Sequence, residues 1–179
     1  RPEDRIEIMV DASNTTYEVS KVLNTHTASI SSINSLPLSG DFASFKNHLK
    51  SQCQGDWIFQ IDADEYLPEI FIRQLPYILQ ENPTTDLFLV PRINTVEGLT
   101  QEHIQKWRWR VDEKGWVNFP DYQTRILQNS PKISWASKVH EVITGHSSFA
   151  LLPAEESYCL IHPKHITRQE RQNEFYAAI

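Results

Sequence analysis

Gly55-Asp56-Trp57-Ile58-Phe59-Gln60-Ile61-Asp62-Ala63-Asp64-Glu65 is a short apolar run that ends in three acids separated by one alanine. Trp57, Ile58, Phe59 and Ile61 are bulky and β-favouring, the composition of a strand buried on both faces. Residues two apart on an extended chain share a face. Asp62 and Asp64 are therefore expected to project together from the strand's carboxyl end, where open α/β sheets bind ligands. Two carboxylates held this close repel each other unless a cation lies between them, and carboxylate oxygens suit Mg²⁺ or Mn²⁺. The other reading is a strand that runs into an acidic turn or a first helical turn, since Pro68 follows and acids favour helix N-termini.

Working outward, the 179 residues fit one domain with a proper core. A 40% apolar and 22% charged composition is that of an ordinary globular protein. The net charge of −6 argues against a nucleic-acid groove or an anionic membrane as main partner. Cys53 and Cys159 form no metal pattern and, with no secretory leader in view, read as reduced thiols. No apolar run is long enough to cross a bilayer, and a cytoplasmic setting is the expectation.

Upstream, Ile6–Val10 reads as a strand ending at Asp11, followed by a polar loop and a helix from about Tyr17 to Leu23 with Thr15 or Thr16 as N-cap. Asp11 is a turn residue or, at a strand's carboxyl end, a contact for a base or ribose. Ala28–Ile33 reads as a further strand and Leu36–Gly40 as loop. Phe42, Phe45, Leu49 and Cys53 recur at helical spacing behind Asp41 as N-cap, and Gly55 is expected to close that helix. The order strand, helix, strand, helix, strand predicts parallel pairing, with the acidic strand in the middle of the sheet.

Downstream, Ile70–Gln80 is an amphipathic helix and Leu87–Val90 a strand stopped by Pro91. Thr95–Asp112 has no clear period. Its Lys106-Trp107-Arg108-Trp109-Arg110 cluster reads as a loop or strand over a ligand cleft rather than a base-stacking surface. Gln123–Leu127 is a strand carrying Arg125, which is solvated or paired with a carboxylate. Ile133–Trp135 is extended, and in Val139-His140-Glu141-Val142 the His and Glu face opposite ways if the chain is extended. Ser148–Leu152 and Tyr158–Ile161 are expected to pair with each other, the second ending at His162. A polar helix closes the chain from Arg168 to Ile179.

Four stretches resemble the family-2-type glycosyltransferases of the GT-A fold, in particular small inverting enzymes that build cell-surface or lipopolysaccharide-core sugars. They are Val10-Asp11-Ala12-Ser13-Asn14-Thr15-Thr16, Gly40-Asp41-Phe42-Ala43-Ser44-Phe45-Lys46-Asn47, Asp56 to Glu65, and Pro120-Asp121-Tyr122-Gln123-Thr124-Arg125-Ile126-Leu127 with Trp135 and Val139-His140-Glu141. Asp-x-Asp alone is a weak motif; four matches in the family's order make a strong signal. The chain departs from the family in two ways. Only five residues precede Ile6, where the family has a further strand and helix, and Asn14-Thr15 stand where it has a second Asp.

The resemblance implies an α/β, Rossmann-like fold with a central, mostly parallel mixed sheet flanked by helices. Residues 1–90 form the nucleotide-sugar half and 91–179 the acceptor half. It implies transfer of a sugar from a nucleotide-diphosphate sugar, with a uridine-type base, to a glycan, lipid-linked or protein-linked hydroxyl with inversion. Asp11, Asp41, Lys46, Asp62, Arg125 and Lys164 fall on the donor side. Asp64 with Asp62 and His162 would hold Mn²⁺ or Mg²⁺, Asp62 reaching ribose or metal-bound water, and Glu65 belongs to the following turn. Lys164 and Arg168 would steady the diphosphate, and Glu141 or Asp121 serves as base. The alternatives are a nucleotidyltransferase or a non-catalytic nucleotide-sugar-binding domain.

Overall fold

The computed structural model describes residues 4–177 and is mixed α/β. In chain order the elements are β1 (Glu7–Asp11), α1 (Tyr17–Thr25), β2 (Ser32–Leu36), α2 (Phe42–Gln52), β3 (Trp57–Phe59), α3 (Glu69–Glu81), β4 (Leu87–Val90), β5 (Arg92–Glu97), α4 (Gln101–Trp107), β6 (Gln123–Gln128), β7 (Ser134–Ala136), β8 (Val142–Thr144), β9 (Phe149–Leu151), β10 (Leu160–His165) and α5 (Ile166–Ala177). The chain forms two compact units. One is the chain up to Ile58 with Leu127–Ser147; the other is Phe59–Ile126 with the chain from Ser148 onward. The chain passes between them three times, inside β3, inside β6 and between β8 and β9.

In the first unit β1 and β2 pair in parallel, Glu7 opposite Ser32 and Asp11 opposite Leu36. The intervening helix α1 begins where Thr16 accepts a hydrogen bond from the Val19 N–H. The strand expected over Ala28–Ile33 starts instead at Ser32, because Thr27–Ser29 makes a further 3₁₀ turn. Local bonds hold that turn: Thr27 donates to Asn24 O, and the Ser29 N–H to His26 O at 2.9 Å. Helix α2 ends at Gln52 with Cys53 already extended, so Gly55 is not its closing residue. Asn47 clamps α2 to β7, donating to Trp135 O at 2.8 Å and accepting from Trp135 N–H at 2.9 Å. Strands β7 and β8 form an antiparallel hairpin. Gly145 beyond it has φ +80°, and a Cβ there would lie 1.8 Å from Lys132 O, so only glycine fits.

In the second unit β5 and β10 pair in parallel and β4 pairs in parallel with β9. The expected pairing of Ser148–Leu152 with Tyr158–Ile161 is therefore wrong: each segment finds a distant parallel partner. The strand containing β10 also runs on to His165, which puts His162 inside it rather than at its end. The order β3-β6-β4-β9 leaves β3 at one side, not in the middle. Buried Phe71 anchors α3, its ring 5.6 Å from Phe59 and 6.2 Å from Tyr158. Phe88, Val90, Ile126, Cys159 and Leu160 are among the most deeply buried core residues of this unit.

The stretch from Thr95 to Asp112 is more regular than its sequence suggests. Strand β5 extends to Glu97, and α4 opens on a capping box between Thr100 and His103. The Trp-Arg alternation spans the end of that helix, where Arg108 is left-handed (φ 55°). Trp107 stacks on His103 and lies 4.7 Å from Trp109. Both cysteines are free thiols, and burial pushes Cys159 up to about 11. Among the described residues no helix is long and apolar enough to cross a membrane.

Candidate functional site

The acids lie on a tight turn rather than on an extended strand. Strand β3 stops at Phe59, and the Gln60 N–H donates to Arg125 O at 2.8 Å. The Glu65 N–H then donates back to Asp62 O at 3.0 Å, curling the chain through Ala63 and Asp64. Tyr66 rejoins a strand by exchanging backbone bonds with Ile161. The expectation that Asp62 and Asp64 project side by side fails for this reason. The turn sends each acid to its own partner.

Asp62 accepts from Arg125 Nη2 at 2.6 Å. Glu65, whose side chain is fully buried, accepts from Arg125 Nη2 at 2.6 Å, from Arg92 Nη1 at 2.9 Å and from the Asp62 N–H at 3.1 Å. Arg92 continues to Asp121, donating from Nε at 3.0 Å and Nη2 at 2.7 Å. Asp121 also accepts from Asn94 and Gln123, each at 2.8 Å. Asn94 Oδ1 lies 2.7 Å from His162 Nδ1. His162 Nε2 lies 3.2 Å from Asp64 Oδ2, and Arg168 Nη2 lies 3.0 Å from the same oxygen. One polar network thus runs from Asp62 to Arg168 inside the second unit.

Its charges are set by neighbours. When the His162 ring carries both protons, its hydrogen bond and then its charge, with the charge of Arg168, hold the Asp64 carboxyl well below the usual carboxylate range against the opposing effect of burial. Burial alone would raise Asp121, but Arg92 and Asn94 keep it below its ordinary value. Burial likewise works against the charged form of Arg92, and Asp121 and Glu65 more than offset it. Lys164 is lowered, first by burial and then by Arg92; Gln169 and Gln172 hold its ammonium with amide oxygens at 3.1 and 2.9 Å.

Of the residues singled out in the sequence, Asp62, Asp64, Asp121, Arg125, His162 and Arg168 share this network, and Lys164 lies close enough to Arg92 and Asp64 to feel both charges. Among the described residues no three His, Cys, Asp or Glu side chains gather to hold a metal ion by themselves. Asp11, Asp41, Lys46 and Glu141 belong to the first unit. Asp11 Oδ1 ties the loop after β1 together, accepting from Ser13 Oγ at 2.6 Å and from the Ser13 and Leu38 N–H groups at 3.0 Å each. Lys46 ion-pairs with Glu141 and sits 4.5 Å over the Trp135 ring. His140 is left-handed (φ 53°), so this segment is not extended and the opposite-faces argument does not apply.

Asp41 caps α2, accepting from the Ser44 N–H at 2.9 Å. Asp41→Ala is expected to lower the melting temperature by a few degrees, whereas Asp41→Ser, which can also cap, stays close to wild type. A common loss in both variants would show that the carboxylate has a role beyond the cap.

From the sequence Glu65 is assigned only to a turn, and Arg92 and Asn94 are passed over. The available signal was the alternation Arg92-Ile93-Asn94, which puts two polar side chains on one face of a strand around a buried apolar one.

Comparison of the chain with protein-family models and with curated proteins finds no match to either. The chemistry is therefore read from the site. Asp64 and His162 offer an oxygen and a nitrogen donor, a pair that suits Mn²⁺ and less strictly Mg²⁺. Arg168 and Lys164 put positive charge beside them, so a cation and an anion can bind together.

Proposed function

We propose that the chain is a GT-A-type glycosyltransferase that moves a sugar from a nucleoside-diphosphate sugar, with uridine as the base, to a hydroxyl acceptor with inversion. The observation that carries this reading is the buried His162 with its Nε2 3.2 Å from Asp64 Oδ2, beside Arg168 and Lys164. Asp64 and His162 would hold Mn²⁺ or Mg²⁺, which when bound neutralises charge on the departing diphosphate. Arg168 and Lys164 donate to phosphate oxygens. Asp62, steadied by Arg125, faces the ribose. Four N–H donors occupy Asp121, which makes it a poor proton acceptor; the base that takes the hydroxyl proton is proposed, from the family resemblance alone, to be Glu141.

The test is thermal and catalytic. Uridine diphosphate with Mn²⁺ is expected to raise the melting temperature more than other nucleoside diphosphates do, and chelation of the metal should remove the shift. Release of uridine diphosphate from uridine-diphosphate sugars under the same conditions separates an enzyme from a non-catalytic binder. No stabilisation by any nucleotide with Mn²⁺ would sink the reading.

A further inference from the structure

Behind His162 lies a hydrogen-bonded chain whose directions are forced. The Asp121 carboxylate can only accept, and it takes two bonds from Arg92 and one from Asn94 Nδ2 at 2.8 Å. Val117 O, 3.5 Å from the same nitrogen, is a second acceptor on that side. The Asn94 amide therefore presents its NH₂ to Asp121 and its oxygen to His162. Asn94 Oδ1 at 2.7 Å from Nδ1 requires a hydrogen on that ring nitrogen. In a neutral imidazole the other nitrogen, Nε2, then keeps its lone pair, and it lies 3.2 Å from Asp64 Oδ2. A lone pair and a carboxylate oxygen at that distance repel unless a proton or a metal ion lies between them.

We infer that Asn94 is a positioning residue that sets His162 in the Nδ1–H tautomer and so presents Nε2 to a cation shared with Asp64. This deepens the metal site proposed above and rests on it. Backbone pairing holds the arrangement: Asn94 stands opposite His162 in the β5–β10 ladder, and Arg92 lies two residues earlier on the same face. Histidines that ligate metals usually donate their other N–H to an oxygen, and losing that partner weakens metal affinity by ~10–100-fold.

The experiment reads the tautomer and the metal separately. Long-range ¹H–¹⁵N correlation on metal-free protein, at a pH where the ring carries one proton, is expected to show His162 protonated on Nδ1. His162→Gln identifies the signals. Asn94→Ala is expected to shift the ring toward Nε2–H and to bind Mn²⁺ alone ~10–100-fold more weakly, measured from the free-ion EPR signal. Asn94→Asp should keep Nδ1–H and near-wild-type Mn²⁺ affinity, because its carboxylate still accepts from Nδ1 although it loses the donor to Asp121. A packing role predicts the reverse order, since Asp at 94 faces Asp121. An Nε2–H ring in wild-type protein overturns the inference without any variant, as does Asn94→Asp losing Mn²⁺ as badly as Asn94→Ala. Wild type that binds Mn²⁺ with an Nε2–H ring defeats this inference alone. An Nδ1–H ring in wild type that binds no Mn²⁺ supports the tautomer and defeats the metal site.

Discussion

Glu65→Gln is expected to lower the unfolding free energy by ~3 kcal/mol at pH 7, read as a lower urea midpoint with an unchanged slope. Glu65 has no solvent-exposed side-chain surface and accepts from Arg92, Arg125 and the Asp62 N–H. Glutamine keeps the shape but removes the negative charge. It also turns an NH₂ donor toward donors, either the two guanidinium groups or the Asp62 N–H. Breaking a buried pair from one side typically costs about 3–5 kcal/mol because the remaining charge is left uncompensated. Here Arg125 keeps Asp62 and Arg92 keeps Asp121, so the lower end of that range applies. The control is Glu69→Gln on α3. Its partner Arg73 is likewise a carboxylate–guanidinium pair, but the two side chains are 76% and 74% exposed. That change is expected to cost less than about 0.5 kcal/mol. If the two variants cost the same, burial is not what gives Glu65 its importance.

Glu65 also shows where the sequence stops being readable. The helices α2 and α3 are legible because their signals are local: apolar residues at three- and four-residue spacing, Asp41 ahead of Ser44, Pro68 ahead of the first turn. The short strand before the acids is legible for the same reason, through its bulky apolar run. Glu65 looks like a turn residue locally, and its backbone is one; its side chain answers to Arg92 and Arg125, each far along the chain. The same holds for Asn94, whose meaning depends on the parallel pairing of β5 with β10. No feature of Tyr158–Ile161 says that its Leu160 and Ile161 will lie beside Arg92 and Ile93 rather than beside the nearer segment Ser148–Leu152. The expected side-by-side projection of Asp62 and Asp64 fails for a different reason. It assumed that β3 continues to Asp64, whereas the strand ends at Phe59 and the residues beyond it follow a turn closed by the Glu65 N–H.

Asp64→Asn is expected to reduce sugar transfer by about 10³-fold or more and to abolish the Mn²⁺-dependent rise in melting temperature with uridine diphosphate. The substitution keeps the side-chain volume and removes the charge that faces His162 Nε2 and Arg168. Asp64 is lowered from the usual carboxylate range, first by the hydrogen bond from a protonated His162 and also by Arg168. The effect therefore reports loss of the carboxylate charge at that position. Asp64→Ala gives the same loss with more risk to folding, because His162 is left buried beside an empty volume. Glu141→Gln is the counterpart. It should lower turnover by ~10²–10⁴-fold while leaving the uridine diphosphate and Mn²⁺ stabilisation intact, because a base acts on the acceptor and not on the donor. Asp121→Asn, by contrast, weakens the Arg92 pair and the Asn94 clamp, and so should lower both stability and Mn²⁺ affinity. The three variants separate three roles by two measurements each. Full activity of Asp64→Asn with Mn²⁺ present would remove the cation from the mechanism, and near-wild-type turnover of Glu141→Gln would remove the base.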